Sequence, residues 1–184
     1  MANTASNVSV GKPKAAGGVY SAPIATALPT NATTALASGY VGLGYVSDAG
    51  LVNSISTDTN DINAWGGDRV LTVRTSRSES FKFTFIETNA DVLKEVYGQS
   101  NVTDSSGALT VLHNNTVNPT RRYVFEIALT GDRVKRIVVP QGQITEVGDV
   151  TYVDGDPIGY EVTISAYPDG SGNTAYEYIA SVTP

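Results

Sequence analysis

Alternation is the plainest signal in this chain. Phe81, Phe83 and Phe85 fall on one side of residues Ser80–Ile86, and Lys82 and Thr84 fall on the other. A period of two over this length predicts a half-buried antiparallel strand. The pattern recurs at Tyr123, Phe125, Ile127 and Leu129, and at Tyr160, Val162, Ile164 and Ala166. Gly131-Asp132 and Asp154-Gly155 are tight-turn pairs, which predicts hairpin partners over Val134–Val139 and Val150–Val153. Arg69–Thr75 and Ser80–Ile86 read as a hairpin closed by the polar turn Ser76-Arg77-Ser78. Tyr40–Val46, Leu51–Ser56, Ala108–Leu112 and Thr174–Val182 add further strands. One helix is predicted after Thr88-Asn89, which can cap it, with Asp91 in the first turn and Gly98 at the stop. Val92, Leu93, Val96 and Tyr97 share one side of it, so it must dock on a sheet.

Two stretches show no period. Asp58, Asn60, Asp61 and Asn63 lead into Trp65-Gly66-Gly67, which reads as a loop, within an unusually long irregular connection from about Asp48 to Gly67. Residues 1–38 are rich in Ala, Thr, Ser, Asn, Gly and Pro, carry no acidic residue, and are dotted with Val19, Tyr20, Ile24 and Leu28. This composition predicts either an extended N-terminal arm that orders against something else or a flexible N-terminus, followed by a β domain over 39–184. The fold class expected is mainly β: a sandwich or partly closed barrel with one short flanking α-helix.

Composition narrows the function. Twelve Lys and Arg against eighteen Asp and Glu leave a net charge of -6. A basic face able to displace counterions from nucleic acid is not expected, nor is attraction to anionic lipid. The chain has no cysteine, so disulfides, thiolate metal sites and a cysteine nucleophile are excluded. No apolar run approaches the roughly 20 residues of a membrane span, and Met1–Ser9 lacks the pattern of a secretory signal.

Candidate chemistry is sparse. His113 is the only histidine, at a strand end that runs into Asn114-Asn115; a catalytic base would need a nucleophile and an orienting carboxylate beside it, and a surface or hairpin-end histidine is the reading preferred. Asp58-Thr59-Asn60-Asp61-Ile62-Asn63 breaks the alternating ligand pattern of a calcium loop at Ile62 and lacks a closing Glu. Gly42 and Gly44 are not followed by a helix or by a third glycine at dinucleotide spacing. Arg121-Arg122 and Arg133-Val134-Lys135-Arg136 would be split between two strand faces, as solvated or partner-facing side chains. No catalytic residue, cofactor site or metal site is expected. Strand edges and an arm with no site point to a subunit that assembles with copies of itself.

Several stretches add a resemblance. Leu43-Gly44-Tyr45-Val46-Ser47-Asp48-Ala49-Gly50-Leu51, Ile62-Asn63-Ala64-Trp65-Gly66-Gly67-Asp68 and Phe81–Asn89 come in order. They are followed by Val92–Gly98, Arg136–Pro140, Thr145–Gly148 and Gly159–Ile164. Over residues 40–180 the series resembles the major tail protein, or tail tube subunit, of long non-contractile-tailed bacteriophages. The resemblance implies a non-enzymatic virion protein that forms stacked hexameric rings whose sheets join into an inner β-barrel. It implies as partners a tape-measure protein, a tail terminator and baseplate or initiator proteins. DNA would pass through the lumen without specific binding, and no membrane would be involved. Assembly would take place in the host cytoplasm. Within that frame Asp48, Leu51, Asp58, Asp61 and Trp65 are expected to bridge subunits or rings, with Trp65 either the anchor of that contact or a core residue. Tyr20, Ile24 and Leu28 are expected to order on a neighbouring subunit. Another virion protein, such as a head–tail connector or decoration protein, is the alternative. A carbohydrate-binding sandwich that stacks sugars on Trp65 and tyrosines is a further one.

Overall fold

A computed structural model describes residues 4–14 and 17–182. Parts of the expected arm, at 1–3 and 15–16, lie outside the described residues. Among the described residues there are eleven strands and one α-helix. In chain order they are β1 (Gly11–Pro13), β2 (Val19–Pro23), β3 (Val41–Gly42), β4 (Val52–Asn63), β5 (Arg69–Phe85), α1 (Ala90–Tyr97), β6 (Val102–Ser105), β7 (Ala108–Val111), β8 (Arg121–Leu129), β9 (Arg133–Val147), β10 (Tyr160–Ala166) and β11 (Tyr176–Ser181). The fold is mainly β, as the alternation predicts.

Nine strands form one antiparallel sheet in the order β3-β2-β8-β9-β10-β5-β4, with β1 added to β8 and β11 to β9. β6 and β7 form a separate hairpin beside α1. The large sheet is curled. β5 and β8 are separated by two strands in sheet order, a span of about 14 Å if flat, yet the rings of Phe81 and Phe125 stack at 5.3 Å. Phe83 also meets Phe125 edge-on at 5.7 Å. The alternating residues of β5, β8 and β10 therefore face one another across a single core, and the sheet stays open.

Helix α1 closes one end of that core. Asn89 caps it by accepting from Val92 N at 2.9 Å. Val92, Leu93 and Val96 are buried, and so is Glu95. The Glu95 carboxylate accepts from Ser21 Oγ at 2.6 Å and Tyr123 Oη at 2.9 Å, and Arg121 Nε lies 2.8 Å away. Burial and the Glu95 charge together push the Tyr123 phenol well above its ordinary value, so it stays a donor. These contacts tie the helix to β2 and β8.

The other face of β8 and β9 is covered as well. Val124 pairs with Val138 and Glu126 with Arg136, so these four share the face turned away from the core. All are buried, and the chain at residues 31–34, where Ala32 is buried, lies over Arg136. Arg136 holds this cover down. Its guanidinium binds the Glu126 carboxylate and donates to the Asn31 and Thr34 carbonyls at 2.8 and 2.9 Å.

Several expectations are corrected. The stretch 57–63, read as a loop, continues β4, and Ser76-Arg77-Ser78, read as a turn, lies inside β5. β5 pairs with β4 along twelve residues rather than folding back on itself. Val150–Val153 forms no strand, because β9 runs on to Val147 and supplies the partner of β10. Tyr40–Val46 is reduced to β3 and a single bridge from Val46 to Phe85. Arg136, read as solvated or partner-facing, is only 2% exposed. Segments of the expected arm, β1 and β2, pair with β8 of the same chain.

Candidate assembly surface

The outer halves of β4 and β5 leave the body as a two-stranded ribbon. Every residue of β4 is exposed, as is each residue of β5 from Arg69 to Ser78. At about 3.3 Å per residue the ten exposed β5 positions span roughly 30 Å. Ala64 N–H donates to Asp68 O at 2.7 Å across the tip, where Gly66 and Gly67 both take positive φ. Trp65 stands at that tip with its side chain fully exposed. The core alternative for Trp65 is therefore overturned in the single chain.

The ribbon has two unlike faces. Ile62 lies opposite Leu71 and Asn60 opposite Val73, so Ile62, Leu71 and Val73 share one face. Asp61 and Thr72 share the other, where Thr72 Oγ1 donates to Asp61 at 2.6 Å and Arg69 pairs with Asp61 at 3.1 Å. An apolar stripe and an indole that are both open to water are unusual on a narrow protrusion, which by itself is marginally stable. Replacing Trp65 by Ala should leave the thermal unfolding curve unchanged within ~0.5 kcal/mol, while assembly followed by sedimentation falls. A loss of fold in that variant would mean that the exposed indole serves the stability of the ribbon and not assembly.

The ribbon is rooted at Glu79. Its carboxylate accepts from Asn53 Nδ2 at 3.0 Å and Arg77 Nη2 at 3.0 Å, and from the Thr174 hydroxyl. Burial raises the Glu79 pKa, but the hydrogen bonds from Thr174, Asn53 and Arg77 outweigh it and hold the carboxyl below its ordinary range. A folded value below the unfolded one means stability is fully present above the unfolded pKa of about 4.3 and is lost as pH falls through the folded value. Glu79→Gln should therefore flatten the fall of stability on acidification below about pH 4. An unchanged acid limb would show that the root does not use this carboxylate.

The expected interface residues do not gather on one surface. Asp58, Asp61 and Trp65 lie along the ribbon, and Ser76 Oγ donates to Asp58 at 2.6 Å. Asp48 and Leu51 sit in the turn before β4, against a cavity that Phe83 also lines. Tyr20, Ile24 and Leu28 are at the far end of the sheet, where Tyr20 pairs with Gly42 and Val124.

A feature the alternation did not reveal is the pair of open edges on the β9-β10-β5-β4 layer. β4 is the terminal strand. At the other side β8 reaches only as far as the Arg121–Gly142 pair, so among the described residues no strand pairs with 143–147 on the side away from β10. A cavity of about 450 Å³ opens along that edge, between Gln143–Val147 and the loop 113–118. His113 lies in its wall with its ring 4.4 Å from that of Tyr97. The face of this layer turned away from the core carries Ser54, Ser56, Ser78, Ser80, Thr163 and Ser165, by register with the buried phenylalanines and valines. Its lysine, Lys82, is neutralised by Glu161 at 2.9 Å. Among the described residues no three His, Asp or Glu side chains gather as metal ligands, and no helix is long and apolar enough to cross a membrane.

A family model described as phage tail tube protein matches residues 1–183. No curated protein matches the chain. Among solved structures, the cryo-EM structure of the anti-feeding prophage cap, a tube-terminating cap, is similar over 98% of this chain and 100% of that one. Its identity is 15% and its TM-score 0.44, a likeness too distant to bear on residues or assembly.

Proposed function

The chain belongs to the phage tail tube protein family and is a non-enzymatic structural protein of the phage tail; from that premise we propose that it closes into hexameric rings by strand pairing between copies, and that the rings stack into a DNA conduit. The observation that carries this reading is the pair of open edges on one four-stranded layer. In a ring, β4 of one copy would enter the cleft along residues 143–147 of the next. Each strand in this layer is antiparallel to its neighbour. Rotation about a ring axis preserves strand direction, so the β4–β9 joint between copies would be antiparallel too. Such a contact is heterologous, and it closes if the rotation closes.

Six copies of four strands make twenty-four. At about 4.8 Å between strands and ~40° of tilt, the backbone circle is roughly 40–50 Å across. With side chains, a bore on the order of 30 Å remains, wide enough for a duplex. Serine and threonine hydroxyls with a neutralised lysine would line it and offer phosphates few fixed cations. The apolar stripe and Trp65 of the ribbon would then contact a copy in the same or the next ring. The tape-measure protein, terminator and initiator proteins are the further partners of this reading, in a long non-contractile tail.

Prolines test the edge. In a terminal strand alternate N–H groups point outward, and a proline there removes only an unpaired donor. Ser54→Pro and Ile55→Pro, made separately, should include one variant that folds normally. That variant should give no rings or tubes in negative-stain electron microscopy, where the unsubstituted protein gives them. Normal tubes from both would place the joint elsewhere.

A further inference from the structure

We infer that residues 4–14 form an exchangeable strand, which in the assembled protein leaves its own β8 and pairs with β8 of a neighbouring copy. The inference rests on the proposed self-assembly, but concerns a different edge of the molecule.

The segment is held mainly by its backbone, with two side-chain contacts besides: the Ser9 hydroxyl accepts from the Arg133 guanidinium, and Lys14 Nζ lies 3.8 Å from the Glu126 carboxylate. β1 pairs through Gly11, Lys12 and Pro13 with Leu129, Ala128 and Ile127, and all three of its residues are exposed. Lys14 N–H donates to Glu126 O at 3.0 Å and Thr130 N–H to Val10 O at 3.2 Å. The hydroxyl of Thr130 bridges Val8 O and Val10 N–H, each at 3.3 Å. Its larger apolar side chains lie open: Val8 is 74% and Val10 70% exposed. Beside it a largely apolar cavity of about 620 Å³ opens between Val10, Leu129, Val134 and Val182. The segment thus satisfies the edge of β8 while leaving its own apolar face uncovered.

The chain beyond this segment is built differently. From Val19 onward it is locked, with Val19 and Ala22 buried and Ser21 bound to Glu95. The lock already begins at Gly17 and Gly18, which are buried at positive φ (80° and 69°) against Gly44 and Glu126, with Glu126 N–H donating to Gly18 O at 2.7 Å. With the single 3-10 turn at Ala5–Asn7 unwound, the eleven residues 4–14 reach roughly 35 Å, enough to leave one subunit for the next. Exchange costs little, because every backbone contact is remade on an identical edge. In a ring or stack the effective concentration of that edge is high. The gain is burial of Val8 and Val10 between copies, and a strand that staples one subunit to another.

The absence of cysteine makes the test clean. Lys12 and Ala128 are direct cross-strand partners. Chains with Lys12→Cys alone and Ala128→Cys alone are mixed, assembled and oxidised, and the chain carrying both substitutions is treated in parallel. Exchange predicts disulfide-linked dimers as the main product of the mixed assembly, and an intrachain disulfide in the dilute double variant. An intrachain disulfide in the assembled double variant, with no dimers from the mixture, would overturn it. Val10→Cys with Thr130→Cys supplies a second reporter should the first pair disturb folding. If no tubes form, the ring proposal fails. Exchange is then read on whatever associates in concentrated protein: cross-chain dimers support it, and intrachain bonds alone overturn it.

Discussion

Replacing Arg136 by Met should lower the stability of the isolated subunit by about 3–5 kcal/mol, the usual cost of removing one partner of a buried ion pair. At ~2–4 °C per kcal/mol for a chain of this size, the melting temperature should fall by roughly 6–20 °C. Met keeps most of the length and apolar bulk of the side chain, so the loss is electrostatic. Three acceptors are left behind. The Glu126 carboxylate retains only Lys14, at 3.8 Å and partly exposed, and the Asn31 and Thr34 carbonyls lose their donor. Glu126 is 8% exposed and cannot recover its hydration without opening the cover. The double variant Arg136→Met with Glu126→Leu should regain most of the loss, because an apolar pair of similar volume is often neutral against a buried ion pair. It should not regain all of it, since the two carbonyls stay unpaired. Thermal unfolding of the three variants measures this. A single-variant loss below ~1 kcal/mol would mean that Arg136 behaves as an exposed pair does, and that residues 31–34 are not clamped by it.

Arg136 also shows where the sequence stops being legible. Period-two alternation found the cores of β5, β8 and β10, because each packs one face on the same cluster. The helix was legible because its cap, its first-turn Asp91 and its terminal glycine are local signals. Arg136 sits in a run of charges that looks like a solvated face, and what buries it is over a hundred positions away at Asn31 and Thr34. The ribbon was missed for the opposite reason. With both faces in water, β4 has no hydrophobic alternation to read, and Ser76-Arg77-Ser78 has the composition of a turn. Its partner strand, not its own pattern, keeps it extended. The open edge of β9 is invisible in sequence, because it depends on where β8 begins relative to residue 142. Trp65 was legible as a choice between anchor and core, and its exposed position at the tip removes only the core alternative in the single chain.

The N-terminal region gives the second large effect, and it divides where the glycines divide it. A chain lacking residues 1–14 should fold, with native circular dichroism and cooperative unfolding, because the removed strand buries no side chain among its described residues. A chain lacking residues 1–38 should not fold. It loses the five-residue pairing of β2 with β8, the buried Val19, Ala22 and Ala32, and the Ser21 contact to Glu95. It also uncovers Val124 and Val138, now fully buried, and strips Arg136 of two acceptors. Losses of this kind add up to much of the ~5–15 kcal/mol that holds a typical domain together. An arm that only docks on a neighbour would instead leave both truncations folded, so the contrast separates the two views. The shorter truncation carries a second consequence through the strand-exchange inference. It bares the 126–130 edge of β8 in every subunit, and with no strand to pair there, neighbouring copies lose their staple. Rings closed by β4 and β9 would still form from it, while long tubes would become fragile to dilution and shear. Tubes of full strength from the shorter chain would mean that residues 4–14 serve the single subunit alone.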